Sequence, residues 1–548
     1  MVDLGATRPG ADRPRGEHGP ARRPPHPASR QQSLTPQSMS GVIRMRPIRL
    51  RRAVVLATAT LSIAGLVGCS TTTGGSTAGG DVPQELVVAA WTPIENLDPH
   101  GASAMDNGTQ VAAKAIYSAL VRTVGKGQFE GVLAESWQPN EDATEWTFRL
   151  RGNVTFSDGK PVTSADVVAS FNRVLELKGA MASNYAGHEA KESGADTVVI
   201  TSKDPDPALL GKLSTFYVTP AAQEKWDKPV GSGPFVVERF TPGQSLVLAP
   251  NPGYWGGKPA LRRLELRSIG ETAARMTALK TGEVDLTWAV PDDQLPGLQA
   301  NSDLVVEKDQ GNGVITMWMN SSAKGLGDPA VRRALWQAVD FPTIVTSLFP
   351  ETGSVADSVV TPNVLGYAPQ TPVKYDQAAA KAALDKAGWD YDQTIRFQFS
   401  QPQFQQFTDA VASDLAKIGV KVEPIQKESA VFLQDLLALN WELNIQQLGT
   451  AGFDAATNLG RLYTCAAKRM GYCNEDLDKL LAEAGSTSDT AKRQELYAQA
   501  NKIIWDDAVG MYPMYVRTLY VRNKSVQGFT VPQDLTPDFS KVRIGGDG

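Results

Sequence analysis

Strand-like and helix-like apolar patterns alternate along most of this chain. The stretch ELVVAAW at 85–91 is an apolar run typical of a buried strand. It is followed by TQVAAKAIYSALV at 109–121, in which the apolar residues recur at helical spacing. Because strands and helices interleave rather than falling in separate blocks, the sequence predicts an α/β fold.

A second unit repeats this order with clear boundary signals. In EWTFRLRGNVTFSDG at 145–159, Trp146, Phe148 and Leu150 alternate with polar residues, which predicts a half-buried strand. In the following PVTSADVVASFNRVL, Thr163 and Asp166 have the spacing of a capping box, which predicts the start of a helix.

Similar patterns continue to the C-terminus of the chain. They predict a strand at 262–269, a helix leading into a strand at 272–286, a helical region broken by Pro342 at 329–349, a helix then a strand at 408–426, and a helix pair at 477–508. With 548 residues, 42% of them hydrophobic, the chain exceeds one typical domain, so we expect two or more lobes with separate cores.

The region before residue 82 has the layout of an export signal. Five arginines between 44 and 52 precede the apolar run AVVLATATLSIAGLVG, which is too short for a comfortable membrane-spanning helix. Leu66-Val67-Gly68-Cys69 resembles the lipobox of bacterial lipoproteins, which implies that Cys69 is lipidated and anchors an extracytoplasmic protein to the bacterial cell membrane. We therefore predict a disordered or untranslated extension at 1–44, with Met45 as the start in the latter case, a signal peptide at 45–68, and the lipidated cysteine with its flexible tether at 69–81. The alternative is an incidental cysteine in an uncleaved helix.

Composition argues against several other functions. The formal net charge of −5 disfavours nucleic acid as a partner. Of the four histidines, only His100 and His188 follow the predicted signal, so we expect no multi-histidine metal site and no cofactor. The chain contains no GxSxG, Walker, HExxH or GxGxxG motif, and we expect that it is not an enzyme.

Cys465 and Cys473 are close in sequence and would lie on the exported side of the membrane. An oxidising compartment favours a disulfide between them. The alternatives are a metal-binding pair and two free thiols.

Several segments, taken in order, resemble family 5 of the extracellular solute-binding proteins, which serve bacterial ABC importers for peptides and nickel. These segments are NLDPH at 96–100, the stretch 133–171, VGSGPFVVERF at 230–240, NPGYWGGKPAL at 251–261, LKTGEVDL at 279–286, the stretch 328–345, the stretch 381–389 ending in ALDKAGW, YCNEDLDKLL at 472–481 and YPMYV at 512–516.

The resemblance implies a two-lobed fold like that of periplasmic binding proteins, of type II and the large cluster C form, with a hinge between the lobes. It implies a first lobe whose core comprises 82–115, 228–290 and 511–548, an extra subdomain of that lobe at 116–227, and a second lobe at 291–510. We interpret Gly231 and Gly233 as tight-turn residues of this scaffold.

The same resemblance implies ligand-binding residues between the lobes. Asp454, in LGTAGFDAAT with Gly449 and Phe453, corresponds to an aspartate that pairs with a peptide's amino group, and Tyr515 to a tyrosine lining the cleft. Ala104 and Met105 lie in a loop whose backbone pairs with peptides. Gln401 stands near the place of an arginine that binds the carboxylate of dipeptides, and the lack of such an arginine mildly favours longer peptides or another solute.

We therefore expect a monomeric, membrane-tethered receptor that captures oligopeptides and delivers them to an ABC permease with its ATPase subunits. One alternative is the same scaffold binding an oligosaccharide, a tetrapyrrole or a metal chelate contacted by His100 or His188. Another is a cell-envelope lipoprotein without a transport function.

Overall fold

A computed structural model describes residues 82–545. The predictions for 1–44, 45–68 and 69–81, including lipidation of Cys69, lie outside the described residues.

The strands are numbered in chain order. They are β1 Glu85–Ala90, β2 Ser118–Ala119, β3 Val121–Gly125, β4 Gln128–Gly131, β5 Ala134–Pro139, β6 Glu145–Leu150, β7 His188–Glu192, β8 Thr197–Ser202, β9 Tyr217–Val218, β10 Phe235–Thr241, β11 Ser245–Pro250, β12 Arg263–Ser268, β13 Leu286–Trp288, β14 Leu304–Met319, β15 Gly353–Val355, β16 Thr394–Phe399, β17 Lys421–Gln426, β18 Leu443–Gly449, β19 Gly510–Asn523, β20 Val526–Gln527 and β21 Arg543–Ile544.

The α-helices are α1 Asn107–Ile116, α2 Ser164–Leu177, α3 Leu209–Leu213, α4 Thr272–Lys280, α5 Leu295–Gln299, α6 Pro329–Gln337, α7 Phe341–Leu348, α8 Gln377–Lys386, α9 Gln405–Ala416, α10 Ser429–Ala438, α11 Leu459–Leu462, α12 Glu475–Ala484 and α13 Thr490–Asp506. Short 3₁₀ turns lie at Ala180–Tyr185, Asp292–Gln294, Pro402–Phe404, Ala451–Phe453, Ala455–Thr457 and Cys465–Ala467.

Local sequence signals set several of these boundaries. The Thr163 and Asp166 side chains form the predicted capping box at the start of α2. In β6, Trp146, Phe148 and Leu150 are buried and their neighbours face outward, as predicted. The predicted break at Pro342 is confirmed, because α7 begins one residue earlier, with Asp340 as its N-cap.

One 11-stranded sheet runs through both lobes. Its order is β10-β11-β12-β1-β13-β19-β14-β18-β16-β17, with β15 paired to β19. The extra subdomain of the first lobe carries a separate four-stranded sheet, β5-β6-β8-β7, and the hairpin β3-β4. The predicted α/β class and the two-lobed periplasmic-binding-protein fold are confirmed.

The long antiparallel strands β14 and β19 connect the lobes. Their register shifts between Gln310 and Gly313, which is a β-bulge, and a bulge bends the strand that carries it. A Cβ atom on Gly311 would lie 2.4 Å from the Val516 carbonyl oxygen, so glycine is required for this close approach. The bulge therefore lies where a hinge would bend.

The chain passes from one lobe to the other twice, and the hydrophobic clusters place both of these passages later in the sequence than predicted. Leu295, Leu298 and Leu304 pack with the first lobe's α4 and β19, although the second lobe was predicted to begin at 291. Tyr512 and Tyr515 belong to the core of the second lobe, although the first lobe was predicted to resume at 511. Because apolar patterns do not reveal which core a strand joins, the sequence could not give these boundaries.

The structure gives Gly231 and Gly233 a different role from the predicted one in a tight turn. Neither has a positive φ. Instead, a Cβ atom on either would lie within 3 Å of the backbone of Ile116, at the end of α1. Glycine at these positions permits close backbone packing.

Gln84, which precedes β1, lies beside Ile544 of β21 in the first lobe. The Gln84 side chain donates to the Ile544 carbonyl oxygen at 2.6 Å and accepts from the Ile544 amide at 3.0 Å. Among residues 82–545, no helix combines the length and apolarity that a bilayer span requires.

Candidate ligand-binding cleft

The carboxyl ends of the parallel strands of both lobes point toward the crossing of β14 and β19. In the first lobe β1 is parallel to β12 and β13, and in the second lobe β16 is parallel to β17 and β18. Ligands of such sheets bind beyond the carboxyl ends of the strands. We call this region the cleft, and the segments that border it are Trp91, the loop 103–106, residues 400–404 and residues 449–454.

Asp454 lies in the cleft wall of the second lobe, directly after a 3₁₀ turn. Its side chain is 4% exposed, and its Oδ1 lies 2.8 Å from Nη2 of Arg493. The same oxygen accepts a hydrogen bond from the Ala456 amide at 3.0 Å. Burial raises the pKa of the Asp454 carboxyl, and the Arg493 guanidinium opposes that shift. Oδ2 accepts no hydrogen bond from any described residue.

Arg493 was not among the predicted site residues. It lies on α13 on the same buried face as Leu496, Tyr497 and Ala500. A cation in an apolar stripe of helical spacing requires a buried partner, so its position in TAKRQELYAQA was the signal that could have identified it.

The extra subdomain meets the second lobe beside this ion pair. The α-carbons of Gly211 and Gly452 approach so closely that a Cβ atom on Gly452 would lie 2.5 Å from the Gly211 Cα. The Pro207 carbonyl oxygen lies 3.5 Å from Nη1 of Arg493. Farther along, the Lys126 amide donates to the Asn363 carbonyl oxygen at 2.7 Å. The first lobe therefore covers the Asp454 side of the cleft.

The loop that carries Asp454 is strained. Gly452 has a φ of 65° and Phe453 a φ of 54°, and a bulky residue in the left-handed region is an outlier. Burial of the Phe453 side chain and hydrogen bonds between Leu365 and the backbone of Phe453 and Ala455 hold this conformation. This left-handed backbone conformation of Gly452 and Phe453 determines the direction of the Asp454 side chain.

A second buried carboxylate, Asp206, lies just before α3. It accepts hydrogen bonds from His188 Nε2 at 3.0 Å and from Lys212 Nζ at 2.6 Å. Although burial acts in the opposite direction, these partners lower the pKa of Asp206. This hydrogen-bond network holds Asp206 in place, and with it the neighbouring Pro207, whose carbonyl oxygen contacts Arg493.

Tyr515 is 4% exposed and lies in the second lobe rather than on an open wall of the cleft. Its hydroxyl donates to Oδ1 of Asp357 at 2.7 Å, and the Tyr367 hydroxyl contacts the same carboxylate. Burial, together with Asp357, raises the pKa of Tyr367 to about 12.

The loop after NLDPH contains one backbone unit that forms no hydrogen bond with the described residues. Ala104 is buried, its amide donates to the Gly101 carbonyl, and its own carbonyl accepts from the Gln110 side chain. Met105 is 46% exposed, and its backbone forms no hydrogen bond with the described residues. Trp91, at the end of β1, is 38% exposed and was also not predicted.

On the second lobe, Gln401 is exposed, and its side-chain carbonyl accepts from Nε2 of Gln403. A cavity of about 100 Å³ lies beside it, lined by Phe349, Phe404, Phe407, Met514 and other residues. Gly449, at the end of β18, is exposed. This part of the second lobe therefore has exposed residues beside a largely apolar cavity.

Both histidines in the described residues are bound within the first lobe. His100 is buried, with Nε2 at 2.7 Å from the Tyr217 carbonyl oxygen, and His188 is held by Asp206. Residues 82–545 contain no group of three or more His, Cys, Asp or Glu side chains placed to hold a metal ion. Neither imidazole is free to contact a metal chelate.

The structure joins Cys465 and Cys473 by a disulfide, with their α-carbons 4.3 Å apart. The bridge closes a loop that leads into α12. The Cys465 amide also donates to Asp478 on that helix.

The periplasmic binding proteins are a class with two lobes that are connected by crossing strands. The ends of their parallel strands point to the gap between the lobes, as they do here. The sequence pattern of "Bacterial extracellular solute-binding proteins, family 5 Middle" matches residues 128–469. The chain belongs to this family, whose members are extracytoplasmic substrate-binding proteins of ABC importers.

Individual relatives agree with this assignment. The chain is 29% identical over 477 residues to the "Probable D,D-dipeptide-binding periplasmic protein DdpA" of Escherichia coli (strain K12), covering 82% of this chain and 92% of that protein. It is 26% identical over 486 residues to the glutathione-binding protein GsiB of Escherichia coli O1:K1, covering 84% and 94%. The structure of HbpA2 from Haemophilus parasuis matches with a TM-score of 0.76 at 24% identity, covering 84% of this chain and 100% of that chain.

Proposed function

We propose that this protein is a lipid-anchored receptor that captures oligopeptides in the cleft and delivers them to an ABC permease, without catalysing a reaction. The observation that supports the peptide assignment is that the Met105 backbone and one carboxylate oxygen of Asp454 are both without hydrogen bonds to the described residues. Main-chain pairing binds peptides of varied sequence, and a carboxylate in a dry cleft binds an α-ammonium group. The relatives DdpA and GsiB are named as a probable D,D-dipeptide-binding protein and a glutathione-binding protein. These names support a ligand with peptide bonds.

The length of the ligand follows from what the second lobe lacks near Gln401. No arginine occupies residues 400–407, where a dipeptide receptor would hold the terminal carboxylate. Gln401 is exposed there, and an apolar cavity lies beside it. We therefore propose peptides longer than two residues.

The first test is to purify the protein from residue 79 on without denaturation and to compare native with denaturing mass spectra. A bound mass that separates into peptides supports the proposal and gives their length. A sugar, a tetrapyrrole or a metal chelate would replace peptides as the ligand. An empty protein that no peptide pool stabilises in a melting screen would favour a cell-envelope role without transport.

The role of Asp454 is tested by Asp454→Asn, which keeps the shape of the side chain. We expect at least tenfold weaker binding of a peptide with a free amino terminus, and no change for the same peptide after N-acetylation. Equal affinity of both proteins for the free peptide would remove Asp454 from the site.

The anchor is tested separately, in cells. Cys69→Ser should move the protein from the membrane fraction to the soluble fraction, because two acyl chains give stable anchoring. Retention of the variant in the membrane would contradict lipidation at Cys69.

A further inference from the structure

A cavity of about 300 Å³ lies within the first lobe, away from the cleft. Its walls come from the end of α1, the base of the hairpin β3-β4, residues 214–217, the loop at 254–255 and the C-terminal segment 530–538. None of its lining residues belongs to the second lobe. The cavity therefore does not depend on closure of the lobes.

Aromatic side chains form much of this cavity. The rings of Tyr117 and Tyr217 lie 6.5 Å apart, and those of Tyr254 and Trp255 lie 5.7 Å apart. The Tyr117 hydroxyl donates to a backbone carbonyl, whereas the hydroxyls of Tyr217 and Tyr254 form no hydrogen bond with described residues. Tyr217 is 4% exposed and lines the cavity, so the small accessible part of this residue faces the cavity, where its hydroxyl can bond a ligand.

Two carboxylates supply the uncompensated charge. Asp534 and Asp538 accept hydrogen bonds only from the nearby backbone amides of Thr536 and Ser540, and no described cation lies within 4.0 Å of either. Both carboxylates line the same cavity as Tyr217. Burial raises the pKa of the Tyr217 hydroxyl, and the charges of the two carboxylates raise it further.

Two cationic side chains line the cavity, those of Lys114 and Arg122. Arg122 pairs with Glu130 at the hairpin. The Lys114 ammonium donates to the carbonyl oxygen of Thr536 at 2.6 Å and to its hydroxyl at 3.1 Å. Arg151, which does not line the cavity, stacks on the Trp255 ring behind it and donates to backbone carbonyls. Among the charged side chains that line the cavity, Arg122 is paired with a carboxylate and Lys114 has only uncharged partners. The two carboxylates Asp534 and Asp538 therefore outnumber the one cation that lacks a carboxylate partner, and this balance favours a cationic ligand.

We propose that this cavity is a second ligand site, which binds a small organic cation with an apolar body. The ammonium group would bind Asp534 and Asp538, and the apolar body would pack against the tyrosine and tryptophan rings. The faces of the same rings also attract the positive charge of the ligand. A volume of about 300 Å³ is at the lower end of ligand pockets. It suits a molecule with one ring rather than a peptide of several residues.

The test uses benzylammonium as the probe, titrated calorimetrically into the protein from residue 79 on, which forms one compact unit. We expect saturable binding with one site, and no binding of benzyl alcohol or benzoate, which share the ring but lack the positive charge. The double variant Asp534→Asn, Asp538→Asn should bind benzylammonium at least tenfold more weakly. Absence of binding to the unaltered protein, or equal affinity in the double variant, would overturn the proposal.

A second variant locates the site and does not depend on the carboxylates. Thr530 is exposed at the cavity, and Thr530→Trp should fill it and abolish binding. Asp454→Asn, in the cleft, should leave benzylammonium binding unchanged. Binding that survives Thr530→Trp, or that is lost in Asp454→Asn, would assign the probe to another place and overturn the proposal.

Discussion

At the scale of single residues, the interior of this protein contains ionisable groups whose partners come from the same lobe. Asp454 has Arg493, Asp206 has His188 and Lys212, and His100 has a backbone carbonyl. Burial makes each of these groups sensitive to loss of its partner or to a change of its charge. Their effects on stability can therefore be predicted one at a time.

Replacement of Arg493 by Met would leave the Asp454 carboxylate buried beside an apolar side chain. We expect Arg493→Met to lower the free energy of unfolding by about 3 to 5 kcal/mol, because a buried charge without its partner is strongly destabilising. The double variant Asp454→Asn, Arg493→Met should recover part of this loss. Urea denaturation of the single and double variants measures both values, and a loss below about 1 kcal/mol in the single variant would contradict a buried ion pair.

His100 makes stability depend on pH. Burial lowers the pKa of its imidazole from 6.5 to about 4, so between these values the unfolded chain binds a proton that the folded protein rejects. The stability that neutral His100 contributes is therefore complete above pH 6.5 and is lost as the pH falls to about 4, by roughly 3 kcal/mol. Denaturation of wild type and His100→Gln at pH 7.5 and pH 4 should show a smaller acid loss in the variant, and equal losses would exclude His100 as the cause.

At the scale of elements, the sequence predicted what local patterns determine. The α2 capping box, the alternation in β6 and the helix break at Pro342 depend on nearby residues, and each is confirmed. The bulge in β14, the left-handed Phe453 and the buried position of Arg493 depend on contacts with segments far away in the chain. Spacing along one segment contains no information about those contacts, which is why the family resemblance pointed to Asp454 but not to its partner.

The disulfide between Cys465 and Cys473 is an element whose contribution can be measured directly. The bridge closes a short loop with a sequence separation of 8. Replacing both cysteines by serine should lower the free energy of unfolding by about 2 to 3 kcal/mol on the chain-entropy account. The intact mass of exported protein provides the control, since two free thiols in the wild type would contradict the bridge.

At the scale of the whole molecule, the lobes meet through the extra subdomain as well as through the crossing strands. The Gly211 and Gly452 backbones touch beside Asp454, and the hairpin β3-β4 reaches Asn363. Binding proteins close around a ligand because the ligand binds the closed form more tightly. The contacts of Gly211 with Gly452 and of the hairpin with Asn363 join the two lobes where the first lobe covers the Asp454 side of the cleft.

Gly211→Ala tests whether this contact controls closure. Gly211 lies in α3, where alanine would by itself favour the helix, but its Cβ would lie 2.9 Å from the Gly452 Cα. We expect a larger radius of gyration in X-ray scattering and weaker ligand binding, without a lower melting temperature. Gly460→Ala, which adds a Cβ with nothing within 4 Å, is the matched control. If both variants scatter like the wild type, the contact does not hold the lobes together.

The side-by-side position of Gln84 and Ile544 has a consequence for protein engineering. A linker of a few residues could join the two ends of the folded body, and new ends could be opened at Gly388, an exposed glycine after α8. Such a circular permutant would keep every strand of the sheet but would carry a fused reporter on the opposite lobe. A second fluorophore on the joining linker would stay on the first lobe, so relative motion of the lobes would change the distance between the two fluorophores.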